Sequence, residues 1–174
     1  MTLFTVGHGT RTTSELVAML DAAGVERLAD VRRFPGSRRN PHLSREALAA
    51  DVPGYEWWGE ELGGRRHASP ESRHPAWTNA AFRAYADWMD TAGFRDAFTR
   101  LLASPEPVAV MCAETLWWRC HRRLLADAAV MRGTPVVHLL DAGKAESHQL
   151  PDFARVGDDG WPIYDVGVQL CFRG

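Results

Sequence analysis

The chain has 174 residues, of which 45% are hydrophobic, so it is long enough for one domain with a proper core and too short for two comfortable ones. Its formal net charge of −2 gives no global argument for binding nucleic acid or an anionic membrane, so any anion site must be local. Three cysteines without a hydrophobic leader or a long apolar span favour a cytoplasmic, reducing setting with no membrane partner. We therefore expect a single domain over residues 1–174, with its oligomeric state left open.

The first part of the chain predicts a βαβ unit. Residues 2–6 alternate in polarity and are rich in β-forming side chains, which is typical of a strand. Thr12 and Glu15 have the spacing of a capping box, and apolar residues recur at helical spacing over residues 13–23. Residues 27–31 predict a second strand, and the connection is long enough for the two strands to be parallel.

The middle of the chain is less regular. Residues 32–43 contain prolines, a glycine and several arginines, which favours a loop, and Ser44 begins a short predicted helix. Residues 55–58 predict a brief strand. Residues 59–78 have little periodicity and predict a long loop, and long loops in compact domains are often functional.

The second half predicts two core helices, separated at Gly93, and then another βαβ unit. This unit consists of a strand over residues 108–112, a helix over residues 119–132 and a strand over residues 135–140. Residues 157–174 predict a terminal strand or an extended cover. Together the elements predict an α/β fold of three layers, in which a mostly parallel sheet built from βαβ units is flanked by helices.

Chemically versatile side chains follow the predicted strands. In open parallel α/β sheets, ligands collect outside the carboxyl ends of the strands, so these side chains are expected on one rim of the sheet. Polar strand-end loops are also common without any function. The residues concerned are Gly7 and His8, Asp30 and Arg32, Cys112 and Glu114, and His138 near the end of the last strand.

His8 and the Asp30–Arg32 pair each allow two interpretations. His8 lies between two glycines, where an imidazole could act as acid, base or ligand, or could be an ordinary loop residue. Asp30 could orient Arg32, whose guanidinium suits bidentate recognition of phosphate or carboxylate. A plain ion pair within a loop explains these two residues equally well.

The two cysteines near the third long strand differ in their surroundings. Cys112 ends a buried strand, where it could be an inert thiol or could reach the rim. Cys120 is predicted at the start of a helix beside Arg119, His121 and Arg122, and both a helix N-terminus and neighbouring cations lower the pKa of a thiol. Electrostatics therefore favour Cys120 as the thiolate and position favours Cys112, and the sequence does not choose between them.

Spacing argues against two familiar uses of these cysteines. Cys112 and Cys120 do not have the spacing of a zinc finger or knuckle, and no second cysteine pair is present, so we expect no metal and no cofactor. Arg119 lies one position too far from Cys112 for the loop of the usual thiol phosphatases. The adjacent Trp117 and Trp118 could stack on a planar ligand or could form a packed plug.

Four motifs, together with VVHLL after them, resemble a known family. GHGTR at residues 7–11, ADVRRFPGSRRNP at 29–41, ELGGRR at 61–66 and MCAETLWWRCHRRLLADA at 111–128 are similar, in this order, to the bacterial and archaeal family named domain of unknown function 488. The resemblance implies an α/β domain but supplies no reaction. The family's defining residues correspond here to Gly7, His8, Asp30, Arg32, Pro35, Ser37, Arg38, Cys112, Glu114, Cys120, His121 and Arg122.

The chain departs from the family pattern at two places. Gly9 stands where the family usually has a serine, so no hydroxyl is available at that position. Leu116 and Trp117 stand where an acidic residue and a proline are common.

The leading hypothesis is a cytoplasmic enzyme that binds an anionic ligand, such as a nucleotide, a nucleic-acid end or a phosphorylated metabolite, at the rim. The expected ligand-binding residues are Gly7, Asp30, Arg32, Ser37, Arg38 and Arg122, with the arginines holding the anion. The expected catalytic residues are Cys112 or Cys120 as nucleophile or redox thiol, His8 or His121 as base, and Glu114 as orienting group or acid.

Two alternatives remain. A non-catalytic module could bind nucleic acid through the arginine-rich loops and the tryptophans, with binding that weakens steeply as salt increases. A thiol redox sensor or a metal sensor would instead use the two cysteines themselves.

Overall fold

The computed structural model describes residues 1–36 and 39–167. Ser37 and Arg38, two of the predicted ligand-binding residues, lie outside the described residues, as does the predicted tail beyond residue 167. The strands are β1 Leu3–Gly7, β2 Arg27–Asp30, β3 Tyr55–Trp57, β4 Val108–Cys112, β5 Val136–Asp141, β6 Lys144–Ser147, β7 Ala154–Val156 and β8 Pro162–Tyr164. The helices are α1 Thr13–Ala22, α2 Arg45–Asp51, α3 Gly59–Leu62, α4 Ala80–Met89, α5 Ala92–Leu102 and α6 Arg122–Met131.

Six strands form one sheet in the order β3-β2-β4-β1-β5-β6, and β7 and β8 form a separate antiparallel pair. The first five strands of the order are parallel, and β6 is antiparallel to β5. The predicted α/β fold with a mostly parallel sheet is confirmed. Although β1 and β2 are parallel, they are not neighbours, because β4 lies between them.

Helices cover both faces of the sheet and make the three layers. Successive strand residues point to opposite faces, so Val108 and Val110 of β4 pack into one core while Ala109 and Met111 pack into the other. The first core contains buried side chains of α4, α5 and α6, and the second contains those of α1 and α2. Burial on both faces explains why β4 is a continuous apolar run.

Local sequence signals place the first helix correctly. The Thr12 hydroxyl accepts a hydrogen bond from the backbone N of Glu15 at 3.2 Å, and the Glu15 carboxylate accepts one from the backbone N of Thr12 at 2.7 Å. This reciprocal capping satisfies backbone donors that the first helical turn cannot pair internally.

Two helix boundaries differ from the predictions. Gly93 does not separate the core helices but lies inside α5, because Thr91 caps that helix by accepting a hydrogen bond from the backbone N of Phe94. A threonine cap stabilises a helix by about 1 kcal/mol, which offsets the similar cost of an interior glycine. The helix predicted from residue 119 begins instead at Arg122, after a 3-10 turn over Trp117–Arg119.

Two short strands were not predicted. The four residues of β6 are all exposed, so they lack the apolar alternation that marks a half-buried strand. β7 has only three residues, whereas its partner β8 lies in the segment where a terminal strand was expected. Among the described residues, no helix is both long and apolar enough to cross a membrane.

Candidate functional site

The carboxyl ends of three neighbouring strands meet at one rim of the sheet. The backbone N of His8, just after β1, donates to the carbonyl of Cys112 at 2.9 Å, and the backbone N of Val31, just after β2, donates to the carbonyl of Met111 at 2.9 Å. From β1 the chain continues to α1 on one face, whereas from β4 it continues to α6 on the other. Such a divergence opens a crevice at the strand ends.

Two sulfur atoms and an imidazole come together at this crevice. Three atoms lie within 4.8 Å of one another: Sγ of Cys112, Sγ of Cys120 and a ring nitrogen of His121. The Cys120 Sγ is 3.6 Å from His121 Nδ1. Cys112 is half-buried and Cys120 is buried, and neither forms a disulfide. We call these three residues the thiol cluster.

The protonation of His121 follows from its second contact. Its Nε2 lies 3.1 Å from the carbonyl oxygen of Val31, which can only accept a hydrogen bond, so Nε2 carries the ring proton. In the neutral ring Nδ1 is then an acceptor, and it faces the Cys120 sulfur. His121 can therefore take the thiol proton of Cys120 while its ring stays in place.

Gly64 makes room for this imidazole. A Cβ atom built on Gly64 would lie 3.0 Å from Nδ1 of His121 and 3.3 Å from Cγ of the same ring. The next residue, Arg65, has a φ of 57°, in the left-handed region that side-chain-bearing residues rarely adopt. Residues 59–78 were predicted as a long loop, but they begin with the short helix α3, and the loop after it packs Gly64 against His121 of the thiol cluster.

The two thiols differ in acidity. A hydrogen bond from Cys112, helped by His121 and Arg122, holds the pKa of Cys120 well below its usual range. The same hydrogen bond, together with burial, raises the pKa of Cys112 well above the ordinary value. The arrangement therefore favours a Cys120 thiolate that accepts a hydrogen bond from a Cys112 thiol.

Arg122 supplies a buried positive charge beside the cluster. It is only 1% exposed, and its guanidinium donates to the Glu114 carbonyl and, at 3.4 Å, to the Thr5 hydroxyl. Its Nε has no hydrogen-bond partner, and within residues 1–36 and 39–167 no carboxylate oxygen lies within 4.0 Å of its nitrogens. An unpaired buried cation stabilises a nearby anion, which explains why Arg122 lowers the pKa of Cys120.

A cleft of about 410 Å³ opens over the thiol cluster. Cations and aromatic rings both line it, and Glu114 contributes a carboxylate. In the described part of the chain, none of the cations at Arg33, Arg65 and Arg119 forms an ion pair with a carboxylate. The aromatic rings are those of Phe34, Phe82 and Tyr85. The cleft therefore presents unpaired positive charge and apolar surface close to the thiols.

Arg32 is engaged within the protein. Its Nε and NH2 lie 2.8 and 2.6 Å from the two carboxylate oxygens of Asp30, and its NH1 is 2.8 Å from the carbonyl of Leu43. Asp30 is fully buried and also accepts a hydrogen bond from the Tyr55 hydroxyl at 2.7 Å. Although Arg32 borders the cleft, its guanidinium joins β2 to the following loop, an arrangement that favours a positioning role.

His8 is also engaged within the protein. Nδ1 lies 2.9 Å from the carbonyl of Gly9, and Nε2 lies 3.0 Å from NH1 of Arg32, so Nδ1 donates and Nε2 accepts. Burial and the Arg32 charge lower the pKa of His8 to about 4. His8 is absent from the described lining of the cleft, whereas His121 contacts a thiol directly.

Gly7 and Glu114 meet where β1 approaches the loop after β4. A Cβ on Gly7 would lie 2.1 Å from the carbonyl oxygen of Glu114, so this close approach requires glycine. The Glu114 carboxylate accepts a hydrogen bond from the backbone N of Leu116 at 3.0 Å and remains half-buried at the cleft.

Sequence reasoning missed several residues around the thiol cluster. The arginine pairs at residues 32–33 and 65–66 could have indicated Arg33 and Arg65 as cleft residues. Tyr85 could not be identified, because its sequence context is that of an ordinary aromatic residue in the core. Its ring lies 4.9 Å from that of His121, and its hydroxyl donates to the Leu62 carbonyl at 2.7 Å. Trp117 stacks on His138 with ring centroids 4.1 Å apart, which is packing, whereas Trp118 is 44% exposed.

The thiol cluster also contains donors that suit a transition metal. Two sulfurs and one imidazole nitrogen are a common zinc donor set, and a fourth position would face the cleft. Metal-bound histidines typically donate their other N–H to a carbonyl, as His121 does to Val31. The spacing argument against a zinc knuckle does not apply to donors that tertiary contacts assemble.

One comparison with known proteins identifies a family. The family model described as "Domain of unknown function DUF488" matches residues 12–129, which include the thiol cluster, Asp30, Arg32, Glu114 and Arg122. Searches among curated proteins and among solved structures each found no significant match. Because the matched segment covers well over half of the 174 residues, the chain belongs to the DUF488 family.

Proposed function

We propose that this protein is an enzyme of a reducing, cytoplasmic environment that uses the Cys120 thiolate against an anionic substrate in the arginine-lined cleft. The observation that carries the proposal is the 3.6 Å contact between the Cys120 sulfur and His121 Nδ1 beneath unpaired arginines. A thiol beside a base, with the base held by a third group, is a general arrangement for nucleophilic catalysis.

Each member of the cluster has a distinct part in this proposal. His121 accepts the proton of Cys120 and can return it to a leaving group, while the Val31 carbonyl keeps its ring oriented. Arg122 stabilises the thiolate from the buried side. Cys112 provides a second thiol at the strand end, with its sulfur within 4.8 Å of the Cys120 sulfur, and lowers the pKa of Cys120 as a hydrogen-bond donor.

The cleft suits a small anionic molecule with an apolar part. Its volume of about 410 Å³ is that of an ordinary small-molecule site. Arg33, Arg65 and Arg119 would bind phosphate or carboxylate, and Phe34 and Phe82 offer ring surfaces to a planar group. Nucleotides, nucleic-acid ends and phosphorylated metabolites all meet this description.

Alkylation with two reagents that differ in charge tests the proposal. Iodoacetate is anionic and iodoacetamide is neutral, and both alkylate thiolates. Relative to a small free thiol, we expect the protein to favour iodoacetate by about tenfold at low salt, because positive charge concentrates anions. Peptide mass spectrometry should place the first alkyl group on Cys120.

Variants make this test specific. Replacing Arg33, Arg65 and Arg119 together with glutamine should abolish the preference for iodoacetate. The control, Arg155→Gln, removes an arginine that pairs with Asp165 outside the cleft and should preserve the preference. First alkylation at another cysteine, or a rate ratio equal to that of the free thiol, would contradict the proposal.

A metal-binding function is a second candidate because the thiol cluster contains a suitable set of three donors. Protein purified without chelators should then contain close to one equivalent of zinc or another transition metal, and Cys112→Ala should lose it. Metal-free protein that binds no added zinc at micromolar concentration would eliminate this candidate.

A further inference from the structure

We propose that the thiol cluster is a dithiol centre that reduces anionic disulfides, with Cys120 as the attacking thiol and Cys112 as the resolving thiol. This inference rests on the proposed function and names its substrate class and reaction. It assigns a covalent role to the second cysteine, which a single-thiol mechanism uses only as a hydrogen-bond donor.

The first argument is the location of both sulfurs in the same cleft. Cys112 and Cys120 each line it, and their sulfurs are within 4.8 Å of each other. A resolving thiol must reach the attacking sulfur without a large movement of the backbone, and the Cys112 sulfur already lies within 4.8 Å of the Cys120 sulfur. The cysteines come from a strand end and from the segment before α6, so eight residues of chain separation permit their approach.

The second argument is access. Cys120 is only 4% exposed and lines the cleft, so a substrate would approach its sulfur from the cleft. A disulfide sulfur carries a single substituent beyond the bond that breaks, so it can approach Cys120 end-on. The arginines around the opening favour substrates with carboxylates or phosphates near the disulfide.

The reaction balances with two electrons and two protons. The Cys120 thiolate attacks one substrate sulfur, the substrate S–S bond breaks, and the released thiolate takes a proton from the His121 imidazolium. Cys112 then gives its proton to His121 Nδ1 and attacks the Cys120 sulfur, which expels the second substrate thiolate and forms the Cys112–Cys120 disulfide. The expelled thiolate takes the proton that His121 received from Cys112. A dithiol reductant from solution must reduce that disulfide before another turnover.

The order of the two thiols follows from their contacts. The Cys120 sulfur lies 3.6 Å from His121 Nδ1, which can take its proton, so Cys120 attacks first. Once Cys120 is in a mixed disulfide, Cys112 is the second thiol in the same cleft, and its sulfur lies within 4.8 Å of the Cys120 sulfur and of a His121 ring nitrogen. Cys112 can therefore give its proton to His121 and act as the second nucleophile.

The test uses dithiobis(nitrobenzoate), an aromatic disulfide that carries two carboxylates. All proteins carry Cys171→Ser so that the third cysteine does not react. The reduced parent should release two equivalents of thionitrobenzoate and should end as an unadducted protein two hydrogens lighter by mass. A stable adduct on the parent would overturn the inference.

Cys112→Ser and Cys112→Ala form a matched pair. Serine keeps a hydrogen-bond donor but cannot attack the mixed disulfide at Cys120. The serine variant should therefore release one equivalent of thionitrobenzoate rapidly and keep the other bound to Cys120. Alanine also removes the donor, so it should form the same adduct about tenfold more slowly at neutral pH, since a lost hydrogen bond to an anion raises its pKa. Release of two equivalents by the serine variant would refute a resolving role.

A neutral disulfide separates this inference from the proposed function. Relative to a small thiol, the parent should prefer dithiobis(nitrobenzoate) over uncharged dithiodipyridine, and glutamine at Arg33, Arg65 and Arg119 should remove the preference. If the parent prefers dithiobis(nitrobenzoate) but keeps a permanent adduct, the proposed anion-binding thiolate is supported and the dithiol mechanism is refuted. Absence of both the preference and a reactive Cys120 would refute the two together.

Discussion

His148 Nε2 lies 2.7 Å from the Asp127 carboxylate, and both side chains are completely buried. Because the carboxylate only accepts, Nε2 carries the proton, and His148 Nδ1 accepts from Nε2 of His138 at 2.9 Å. The other nitrogen of His138 accepts from the Thr5 hydroxyl at 2.7 Å, and Thr5 accepts from Arg122. A buried, one-directional chain of hydrogen bonds therefore joins Arg122, beside the thiol cluster, to Asp127 on α6.

Asp127→Asn should disrupt this chain. An amide places a neutral acceptor, or a donor, opposite His148 Nε2, and it also weakens the bond from the Tyr164 hydroxyl, which is 2.9 Å from Asp127. We expect the free energy of unfolding to fall by about 3 kcal/mol, because one partner of a buried polar network is lost. Urea denaturation measures the loss.

Asp165→Asn is the matched control for this variant. It makes the same chemical change in an exposed ion pair with Arg155, and such pairs contribute little to stability. Equal destabilisation by the two variants would show that the buried chain has no special importance.

Stability should decrease when the pH falls below about 6.5. Burial and Arg32 lower the pKa of His8 to about 4, and burial, His148 and Arg122 lower that of His138 to about 3. Between these values and the unfolded pKa of about 6.5, the unfolded chain binds more protons, so acid favours unfolding. The stabilisation is fully present above about pH 6.5 and is lost progressively below it.

Urea denaturation at pH 7.5 and pH 5 measures this linkage. Each of the two histidines should account for a loss of about 2 kcal/mol at pH 5. His8→Gln should show a shallower pH dependence than the parent, whatever its absolute stability. An unchanged slope in that variant would mean that His8 is not held neutral in the folded protein.

Arg122→Met should make Cys120 less reactive. Removing the buried cation removes a favourable interaction with the thiolate, so the pKa of Cys120 should rise and iodoacetamide alkylation at neutral pH should slow by about tenfold. The pH–rate profile of alkylation measures the shift directly. Arg122→Lys keeps a positive charge, so its Cys120 pKa should lie between those of the methionine variant and the parent. Coinciding pH–rate profiles for all three proteins would contradict the expectation.

Gly64→Ala should displace the His121 ring. The new methyl group would lie 3.0 Å from Nδ1, so the ring must move away from the Cys120 sulfur or the loop must shift. We expect slower alkylation of Cys120 with only a small change in melting temperature.

Gly36→Ala is the control for this substitution. A Cβ on Gly36 meets no atom within 4 Å, so alkylation should proceed at the parent rate. If Gly64→Ala also reacts at the parent rate, close contact between the loop and His121 is unimportant for the thiol.

Strand order shows where prediction from sequence stopped. The segments that became β1, α1, β2, β4, α6 and β5 were identifiable because caps, helical periodicity and apolar runs are local signals. The insertion of β4 between β1 and β2 was not identifiable, because the sequence of a buried parallel strand does not indicate which strands lie beside it.

By itself, the sequence determined the α/β class and the family motif that contains both cysteines, since each depends on residues close together in the chain. It also placed Cys112 and Glu114 at the rim correctly, but His138, which was expected there, is buried inside β5 opposite Thr5. The tertiary structure decided which groups contact the thiols. The Val31 carbonyl that orients His121 is 90 residues away, and Thr5 and His138 are separated by 133 residues. Such contacts form only when the sheet has assembled, because long-range packing, and not local propensity, brings these atoms together.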